Sequence, residues 1–395
     1  MKPINRDVII VGAGPAGTIC ASYLAKAGTD VLILDKEVFP RDKACGDMIT
    51  ENVANHVTKL EAADKLDRMS VFMNQMLLVS GSGNEALVPF ECYGTKRRDF
   101  DQLMLETAQS WGAEFRPGCR VVGLIRERGV ICGVRVICGG IESELRAKVV
   151  IGADGAFSVT AKEAGLMKEA PEAMSIGMSA YFEGVRFDRN IAIGQYSAYG
   201  AVFFDPAVRP GYIWVFPSGD GGVLRGHCNV GMVVDYTDGA RPDREGLEER
   251  FRKWLAGSTR ASSLLGSAQQ ITPWRRGKLT YLTQNMKKTA DGLILIGDAA
   301  SVMEPLRGDG LSAAADSARA AADTAWEALK QENFTGEFLQ KTYDANPIHK
   351  DPAALEDRLR HRRLIRETLF DPSAVDRAIE AIRKDQEVGK RLLRD

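Results

Sequence analysis

The sequence lacks the features that mark several large classes of protein. Its 52 basic and 53 acidic side chains nearly cancel, so no overall charge attracts nucleic acid or an anionic membrane. No apolar run approaches the roughly 18 residues that a membrane helix needs, and the first residues do not contain the apolar stretch of a signal peptide. We therefore expect a cytoplasmic protein with no nucleic-acid partner and no transmembrane segment. Its oligomeric state stays open.

Paired cysteines are lacking as well. The seven cysteines are scattered along the chain, and no two are spaced as Cys-x-x-Cys. This spacing predicts neither a zinc site nor a framework of disulfides, and it is typical of proteins from a reduced compartment. We therefore expect no metal site and no disulfide framework.

What the chain does have is the length and patterning of an α/β protein. Its 395 residues suffice for two or three domains, and a strand, a helix and a strand are predicted at Asp7–Val11, Ala16–Ala27 and Asp30–Asp35. From residue 174 to 236 the pattern changes to strands rich in aromatic residues, which predicts an antiparallel sheet. We predict a discontinuous nucleotide-binding domain (residues 1–75, 95–170 and 278–333), an inserted β-rich substrate domain (residues 76–94 and 171–277) and a C-terminal helical region (residues 334–395).

A glycine-rich turn follows the first predicted strand. The segment 11–17 reads Val-Gly-Ala-Gly-Pro-Ala-Gly, a GxGxxG pattern whose glycines allow a tight turn and a close approach of the backbone to a pyrophosphate. Asp35 ends the second strand, where a carboxylate accepts hydrogen bonds from ribose hydroxyls. The pattern predicts a dinucleotide site, whose candidate residues are Gly12, Gly14, Pro15, Ala16, Gly17, Asp35 and Lys36.

Two later strands end in an acidic residue beside a glycine. One apolar run ends in Asp154-Gly155, and another ends in Gly297-Asp298. An alanine-rich helix follows the second run, and its start carries further candidate residues, namely Pro305, Gly308, Gly310 and Leu311. Backbone N–H groups at such a helix start stabilise negative charge, as on the N1/C2=O edge of a reduced flavin.

With these three motifs in this order, roughly residues 5–330 resemble the flavoprotein family typified by p-hydroxybenzoate hydroxylase. The resemblance implies FAD as cofactor and an α/β fold class. A Rossmann-type (GR2-like) FAD domain would carry an inserted, mostly antiparallel β substrate domain and a C-terminal helical region. It also implies that Asp298 holds the ribityl chain and that Arg97 lies near the FAD phosphates. One family feature is missing, since Ser158-Val159-Thr160-Ala161 stands where the family has Ser-x-Val-Arg.

Two further segments are similar to the geranylgeranyl reductase group of that family. Residues 40–46 read Pro-Arg-Asp-Lys-Ala-Cys-Gly, and residues 211–217 read Gly-Tyr-Ile-Trp-Val-Phe-Pro. The similarity adds Arg41, Cys45 and Gly46 to the flavin neighbours. It implies an oxidoreductase in which reduced flavin transfers hydride from N5 to a carbon–carbon double bond of a prenyl-like or other alkenyl substrate. Cys45 is a candidate proton donor, although a lone cysteine is more often a small buried apolar residue.

Aromatic residues alternate along one strand of the second segment. Tyr212, Trp214 and Phe216 share a face because side chains in a strand point to opposite sides in turn. They predict a wall for a hydrophobic substrate, against a plain core as the other interpretation. Met48 puts a bulky side chain near this pocket where the group usually has glycine, so the substrate need not be a long prenyl chain.

Other functions stay open at this point. Flavin-dependent halogenases are similar in carrying Trp-x-Trp-x-Ile-Pro where this chain has Tyr-Ile-Trp-Val-Phe-Pro, so a monooxygenase or halogenase acting on an aromatic or polyketide-like natural product is the alternative. A flavoprotein without catalysis is a third hypothesis. The reductant is NAD(P)H or a protein donor such as ferredoxin, since no second nucleotide fingerprint is visible. A basic segment, Arg358–Arg363, favours a solvated helix face over peripheral membrane contact.

Overall fold

The computed structural model describes residues 5–167, 174–187, 198–208, 211–219, 227–235, 244–281, 287–303, 308–348, 371–387 and 389. Two features singled out in the sequence, Pro305 and the basic segment Arg358–Arg363, lie outside these residues.

The first of two sheets has a parallel centre. Its strands are β1 (Asn5–Val11), β2 (Val31–Leu34), β6 (Glu114–Arg116), β7 (Cys119–Glu127), β8 (Val130–Cys138), β9 (Ile141–Gly152), β16 (Thr289–Ala290) and β17 (Leu293–Leu295). The order is β16-β17-β9-β1-β2-β6, parallel from β17 to β6, with β8 pairing antiparallel to β9 and β7 antiparallel to β8. The predicted β-α-β unit is confirmed, and its central strands read as continuous apolar runs because both faces are buried.

The second sheet is mostly antiparallel. Its strands are β3 (Met48–Thr50), β4 (Val71–Ser80), β5 (Glu85–Gly94), β10 (Met174–Glu183), β11 (Ala198–Phe204), β12 (Gly211–Pro217), β13 (Cys228–Asp235), β14 (Gln269–Gln270) and β15 (Arg275–Thr280). The order is β14-β10-β13-β12-β11-β4-β5-β3, and β15 also pairs with β10. Only the pairing of β11 with β4 is parallel among the described strands of this sheet.

The helices pack on the faces of the two sheets. Those in the described part of the chain are α1 (Pro15–Lys26), α2 (Glu51–Lys59), α3 (Ala63–Met69), α4 (Arg97–Ser110), α5 (Val159–Glu163), α6 (Arg244–Gly257), α7 (Thr259–Leu265), α8 (Gly310–Gln331), α9 (Gly336–Asp344) and α10 (Pro372–Lys384). Helices α1, α4 and α8 bury their apolar faces on the first sheet. Helices α6 and α7 cover one face of the second sheet, and α10 packs on the other face.

The domain limits stay a prediction, but three strands bear on them. Strand β4 runs across the limit predicted between residues 75 and 76. Strands β3 and β15 pair within the second sheet, although all of β3 and half of β15 were assigned to the nucleotide-binding domain. These strands carry few apolar residues in alternation, so the sequence pattern did not distinguish them from loops.

The structure contains one disulfide that the spacing of the cysteines did not indicate. Cys119 and Cys138 are joined, and they face each other directly on the antiparallel strands β7 and β8. Their distance of 19 positions in the sequence hides this pairing, because only the β7–β8 hairpin brings their Cα atoms to 4.3 Å. The cysteine pattern therefore no longer argues for a reduced compartment. The other five cysteines are free.

No helix within the described residues is long and apolar enough to cross a membrane.

Candidate cofactor and substrate site

The motifs found in the sequence meet at the carboxyl edge of the first sheet. Val11 lies level with Leu34 of β2 and with Gly152 of β9, and Gly152 lies level with Leu295 of β17. Because these strands are parallel, the residues that follow each of them gather at one edge. Ligands bind at such edges in open α/β sheets.

The turn between β1 and α1 accepts only small residues at two positions. Gly12 has a φ of 108°, and a Cβ placed on it would lie 2.4 Å from the carbonyl oxygen of Ala153. A Cβ on Gly17 would lie 1.9 Å from the carbonyl oxygen of Gly12. The glycines thus allow strand β9 and helix α1 to approach the turn, as the GxGxxG interpretation requires.

Asp35 is oriented by this turn. Its Oδ2 accepts a hydrogen bond from the backbone N–H of Ala13 at 2.7 Å, and its Oδ1 accepts one from that of Glu37 at 2.8 Å. The carboxylate keeps further lone pairs for ribose hydroxyls at the end of β2. Lys36, next in the chain, is exposed.

Helix α1 begins beside an arginine. Gly14 is the N-cap and supplies no side chain, so no side-chain group covers the first N–H groups of the helix that starts at Pro15. The Arg41 guanidinium lies next to this helix start, since a Cβ on Gly14 would be 3.7 Å from its Nη2. Bare backbone N–H groups at a helix start and a guanidinium form a donor set that suits a pyrophosphate.

A buried ion network holds that arginine. Asp101 lies 2.9 Å from Arg41 Nη1 and accepts two hydrogen bonds from Arg97, at 2.7 and 2.9 Å. Arg97 is 4% exposed, so its guanidinium is committed to Asp101 and to Cys45 beside it. Arg97 was predicted to lie near the FAD phosphates, but Arg41, predicted as a flavin neighbour, is the arginine that adjoins the glycine turn.

Asp154 serves the backbone that follows it. Its carboxylate accepts hydrogen bonds from Ser158 Oγ at 2.6 Å and from the Oγ1 and backbone N–H of Thr160 at 2.7 and 3.0 Å. These bonds order the start of α5, and Gly155 continues the turn with a φ of 80°. Thr160 donates two of the hydrogen bonds to the Asp154 carboxylate. The arginine that the family carries in this segment would stand at the next position, which is Ala161 here.

The start of α8 lies across the edge from α1. Gly297 stands between the two helices, since a Cβ on it would be 2.9 Å from the Ala16 Cβ and 3.8 Å from that of Ala314. Asp298 is partly exposed and has Lys43 Nζ at 3.9 Å. Asp309 caps α8 by accepting a hydrogen bond from the Ser312 N–H. Gly310 is the first residue of α8, and the Leu311 side chain packs on the apolar core.

The aromatic stripe of β12 joins both candidate flavin segments. Trp214 and Phe216 are stacked with ring centroids 6.4 Å apart, and Tyr212 follows at 6.1 Å from Trp214. A Cβ on Gly46 would lie 3.4 Å from the Phe216 ring, and one on Gly308 would lie 3.6 Å from the Tyr212 hydroxyl. The stripe thus runs from the Cys45–Gly46 turn to the start of α8. Met48 also packs against this cluster.

Asn229 and Asp47 tie the stripe to the Cys45–Gly46 turn. The Asn229 side chain accepts a hydrogen bond from Trp214 Nε1 at 2.8 Å and donates one to the Cys45 carbonyl oxygen at 2.8 Å. The Asp47 side chain accepts bonds from Ser218 Oγ at 3.1 Å and from the Arg97 backbone N–H at 3.3 Å. Four chain segments are thus held together behind the aromatic wall.

Asp47 is the most perturbed carboxyl of the site. Its side chain is fully buried, and burial raises its pKa to about 6 against the hydrogen bonds and the Arg97 charge that lower it. Tyr181 of β10 also hydrogen-bonds to this carboxyl, and burial together with the Asp47 charge raises the pKa of Tyr181 well above its usual range. Perturbed groups of this kind concentrate at functional sites.

Sequence reasoning missed Asp47, Tyr181, Ser218 and Asn229 as members of the site. Asp47 follows Cys45-Gly46 directly, and Asn229 faces Phe216 across β12 and β13. The position of the Asp47 carboxylate next to Gly46 was the one local sequence signal that could have pointed to this part of the site. The other three come together only when β10, β12 and β13 pair, which no local pattern reveals.

The chain matches the family described as FAD binding domain over residues 5–346. A curated relative, digeranylgeranylglycerophospholipid reductase 1 of Methanopyrus kandleri, is 31% identical over 346 residues. That alignment covers 86% of this chain and 85% of the relative.

Two solved structures share the fold. A geranylgeranyl bacteriochlorophyll reductase-like protein from Thermoplasma acidophilum gives a TM-score of 0.83 at 22% identity, covering 99% of this chain and 96% of that one. A flavin-dependent brominase gives a TM-score of 0.73 at 20% identity, covering 98% of this chain and 93% of that one. At these identities the likeness is one of fold alone.

Proposed function

We propose that this chain, which belongs to the geranylgeranyl reductase group of the FAD binding domain family, reduces a carbon–carbon double bond. As an FAD-dependent oxidoreductase it would act on a hydrophobic, prenyl-like or other alkenyl substrate. The observation that carries this proposal is the aromatic stripe of Tyr212, Trp214 and Phe216, which lies against Gly46 at one end and Gly308 at the other.

The residues at the sheet edge suit FAD in their chemistry. The Gly14 helix start and Arg41 would hold the pyrophosphate, and the Asp35 carboxylate would accept from the ribose of the adenosine half. Asp298 would accept from the ribityl hydroxyls, and the start of α8 at Gly310 would face the flavin. This assignment rests on the donor set, since the N-cap residue Gly14 makes no side-chain hydrogen bond to the first turn of α1.

The chain's own residues would prepare the reduction in three ways. FAD, once reduced, supplies the hydride. Trp214 and Phe216, which are 7% and 5% exposed, offer apolar surface that excludes water from an unactivated alkene. Asn229 fixes the Trp214 ring by a hydrogen bond to its indole N–H, so the wall keeps one orientation. The Cys45–Gly46 turn closes the slot, and the Cys45 thiol remains a candidate proton donor there.

The substrate class follows from the chemistry of this wall and from the curated relative. That relative is named as a reductase of a digeranylgeranyl glycerophospholipid, a prenyl lipid. Aromatic and sulfur-containing side chains, including Met48, would contact a flexible apolar chain without fixed polar contacts. We propose NAD(P)H or a protein donor as the reductant and a cytoplasmic location, in which the enzyme would meet lipid at a membrane surface.

Anaerobic turnover tests this function. FAD-loaded protein is reduced with dithionite in the absence of oxygen and mixed with geranylgeranyl diphosphate, and then with a prenylated glycerophospholipid. Return of the oxidised flavin spectrum, with a product heavier by two hydrogens, is the expected result. The Trp214→Ala variant should reoxidise more slowly at the same FAD content.

The alternative function predicts a different outcome of the same experiment. A monooxygenase or halogenase would leave the flavin reduced with every alkene, and would consume oxygen when a phenolic or polyketide-like substrate is added. Halide dependence of that oxygen consumption would identify a halogenase. Either result would overturn the reductase proposal.

A further inference from the structure

Reduction of a double bond consumes a proton as well as a hydride, and an apolar slot does not provide one from water. The proton must therefore come from a side chain that adjoins the slot. Cys45 has a single thiol proton and lies on the turn itself. Behind that turn lies a larger reserve, formed by the Asp47 carboxyl and the Tyr181 hydroxyl, which hydrogen-bond to each other.

We propose that Asp47 and Tyr181 together hold and deliver the proton that the reduction consumes, a role that rests on the proposed function. Tyr181 and Asn229 are paired across β10 and β13, so their side chains lie on the same face. Asn229 in turn contacts the Trp214 ring and the Cys45 carbonyl. Tyr181 is partly exposed, whereas Asp47 is fully buried. Tyr181 thus lies on the sheet face that carries Phe216, and in this proposal its hydroxyl serves the slot while the buried carboxyl stands behind it.

The backbone at Asp47 places the carboxyl in this position. Asp47 has a φ of 63°, in the left-handed region that aspartate adopts more readily than most residues. Its carbonyl oxygen accepts a hydrogen bond from the Thr95 N–H at 2.8 Å, which fixes the residue to the end of β5. The side chain is thereby directed to Ser218 and to the start of α4 rather than to solvent.

Burial of Asp47 favours a carboxyl that retains its proton up to about pH 6, against the lowering effect of the charge and hydrogen bonds around it. The titratable or charged groups that act on Asp47 are Arg97 from α4 and Tyr181 from β10, and the neutral ones are Ser218 and Asn229. Tyr181 itself is acted on by Cys45 and Asp42, and Lys96 Nζ lies 5.9 Å from the centre of its ring. The Arg97 charge is already matched by the bidentate Asp101. Burial therefore raises the pKa of Asp47 by more than the partly neutralised Arg97 guanidinium lowers it.

The step balances with groups that the site provides. The π bond of the alkene breaks, one carbon bonds to the hydride from reduced FAD, and the π electron pair takes the proton of the Tyr181 hydroxyl on the other carbon. In the same step the Tyr181 oxygen takes the proton of Asp47, so no tyrosinate accumulates, and solvent reprotonates the carboxylate through Tyr181 between turnovers. Tyr181 stays protonated at rest, as a donor must, because burial raises its pKa well above the usual range.

Three variants test the pair under anaerobic single turnover with a prenyl lipid. Asp47→Asn keeps the shape and the left-handed backbone but cannot give up a proton, and Tyr181→Phe keeps the ring without the hydroxyl. Both should slow flavin reoxidation by about 10²-fold or more, the usual worth of a general acid. The wild-type rate should fall as pH rises through about 6, where Asp47 ionises, and Asp47→Asn should lose this dependence. Asp30→Asn removes a surface carboxylate remote from the site and should keep the wild-type profile.

A second readout does not depend on turnover. Infrared difference spectra of the FAD-loaded protein across pH 4 to 8 should show the C=O band of a protonated carboxyl that is absent in Asp47→Asn. If wild type turns over but either variant retains its rate and pH profile, the inference is wrong and the proposed function stands. If wild type reduces no alkene, the proposed function fails and the role of the pair with it, even where the infrared band is present. Should Asp47→Asn not fold, Tyr181→Phe decides by the same criteria.

Discussion

Replacing Asp47 by asparagine should change how the stability of the protein depends on pH. The folded protein raises the pKa of this carboxyl from 3.8 to about 6. Below pH 3.8 the group is protonated in both the folded and the unfolded chain, so it adds no pH dependence there. Between about pH 4 and 6 the unfolded chain loses this proton first, so stability falls as pH rises. Above about pH 6 the carboxyl is ionised in the folded chain as well, and its contribution to stability no longer changes with pH.

The size of this effect follows from the shift. About two pKa units correspond to about 3 kcal/mol of unfolding free energy, since each unit is worth about 1.4 kcal/mol. Asparagine carries no charge and tolerates the φ of 63°, so the variant should escape the loss. The stability of Asp47→Asn relative to wild type should therefore rise by about 3 kcal/mol between pH 4 and pH 8.

Urea unfolding of FAD-saturated protein at a series of pH values measures this difference. The comparison of variant with wild type cancels the contribution of the other titrating groups. Asp30→Asn, which removes a carboxylate with 49% of its side chain exposed, controls for the loss of one negative charge. Parallel curves for wild type and Asp47→Asn would refute the argument, because they would mean that the carboxyl is not buried in its protonated form.

Three further predictions concern the frame of the site. Gly17→Ala should abolish FAD binding, measured by titration, and lower the stability of the protein, because the added Cβ would lie 1.9 Å from the Gly12 carbonyl oxygen. The control Gly257→Ala, whose added Cβ has no atom within 4 Å, should leave both properties unchanged. Asn229→Leu should lower the unfolding free energy by about 1–3 kcal/mol and shift the Trp214 fluorescence, because it leaves the indole N–H and the Cys45 carbonyl without this partner. Unchanged Trp214 emission would contradict the contact. Cys119→Ser should lower the unfolding free energy by about 3 kcal/mol, the value expected for closing a loop of 19 positions, and wild type in reductant should behave alike.

Local patterns predicted the nucleotide-binding half of the site because its residues lie close together in sequence. Gly12, Gly17 and Asp35 belong to one β-α-β unit, and the chemistry of the turn is written in a short segment. The family and the cofactor were predicted from the same motifs and are confirmed by the match over residues 5–346. The aromatic stripe was predicted to share one face of a strand, and the three rings do lie side by side.

The residues behind the stripe could not be predicted in the same way. Asp47 and Tyr181 are 134 positions apart in the sequence, and only the pairing of β10 with β13 brings Tyr181 beside Asn229. The Cys119–Cys138 disulfide was missed for the same reason, since it depends on the register of β7 and β8. Contacts between distant strands are decided by packing of whole sheets, which local composition does not encode.

The central claim is that one FAD extends from the helix start at Gly14 to the helix start at Gly310, with its flavin beside the Trp214 stripe. A crystal structure of the FAD-loaded protein tests it most directly. The account predicts the pyrophosphate at Gly14 and Arg41, and the isoalloxazine ring between Gly46 and Gly308. A flavin bound elsewhere, or a ring turned away from Trp214, would contradict it.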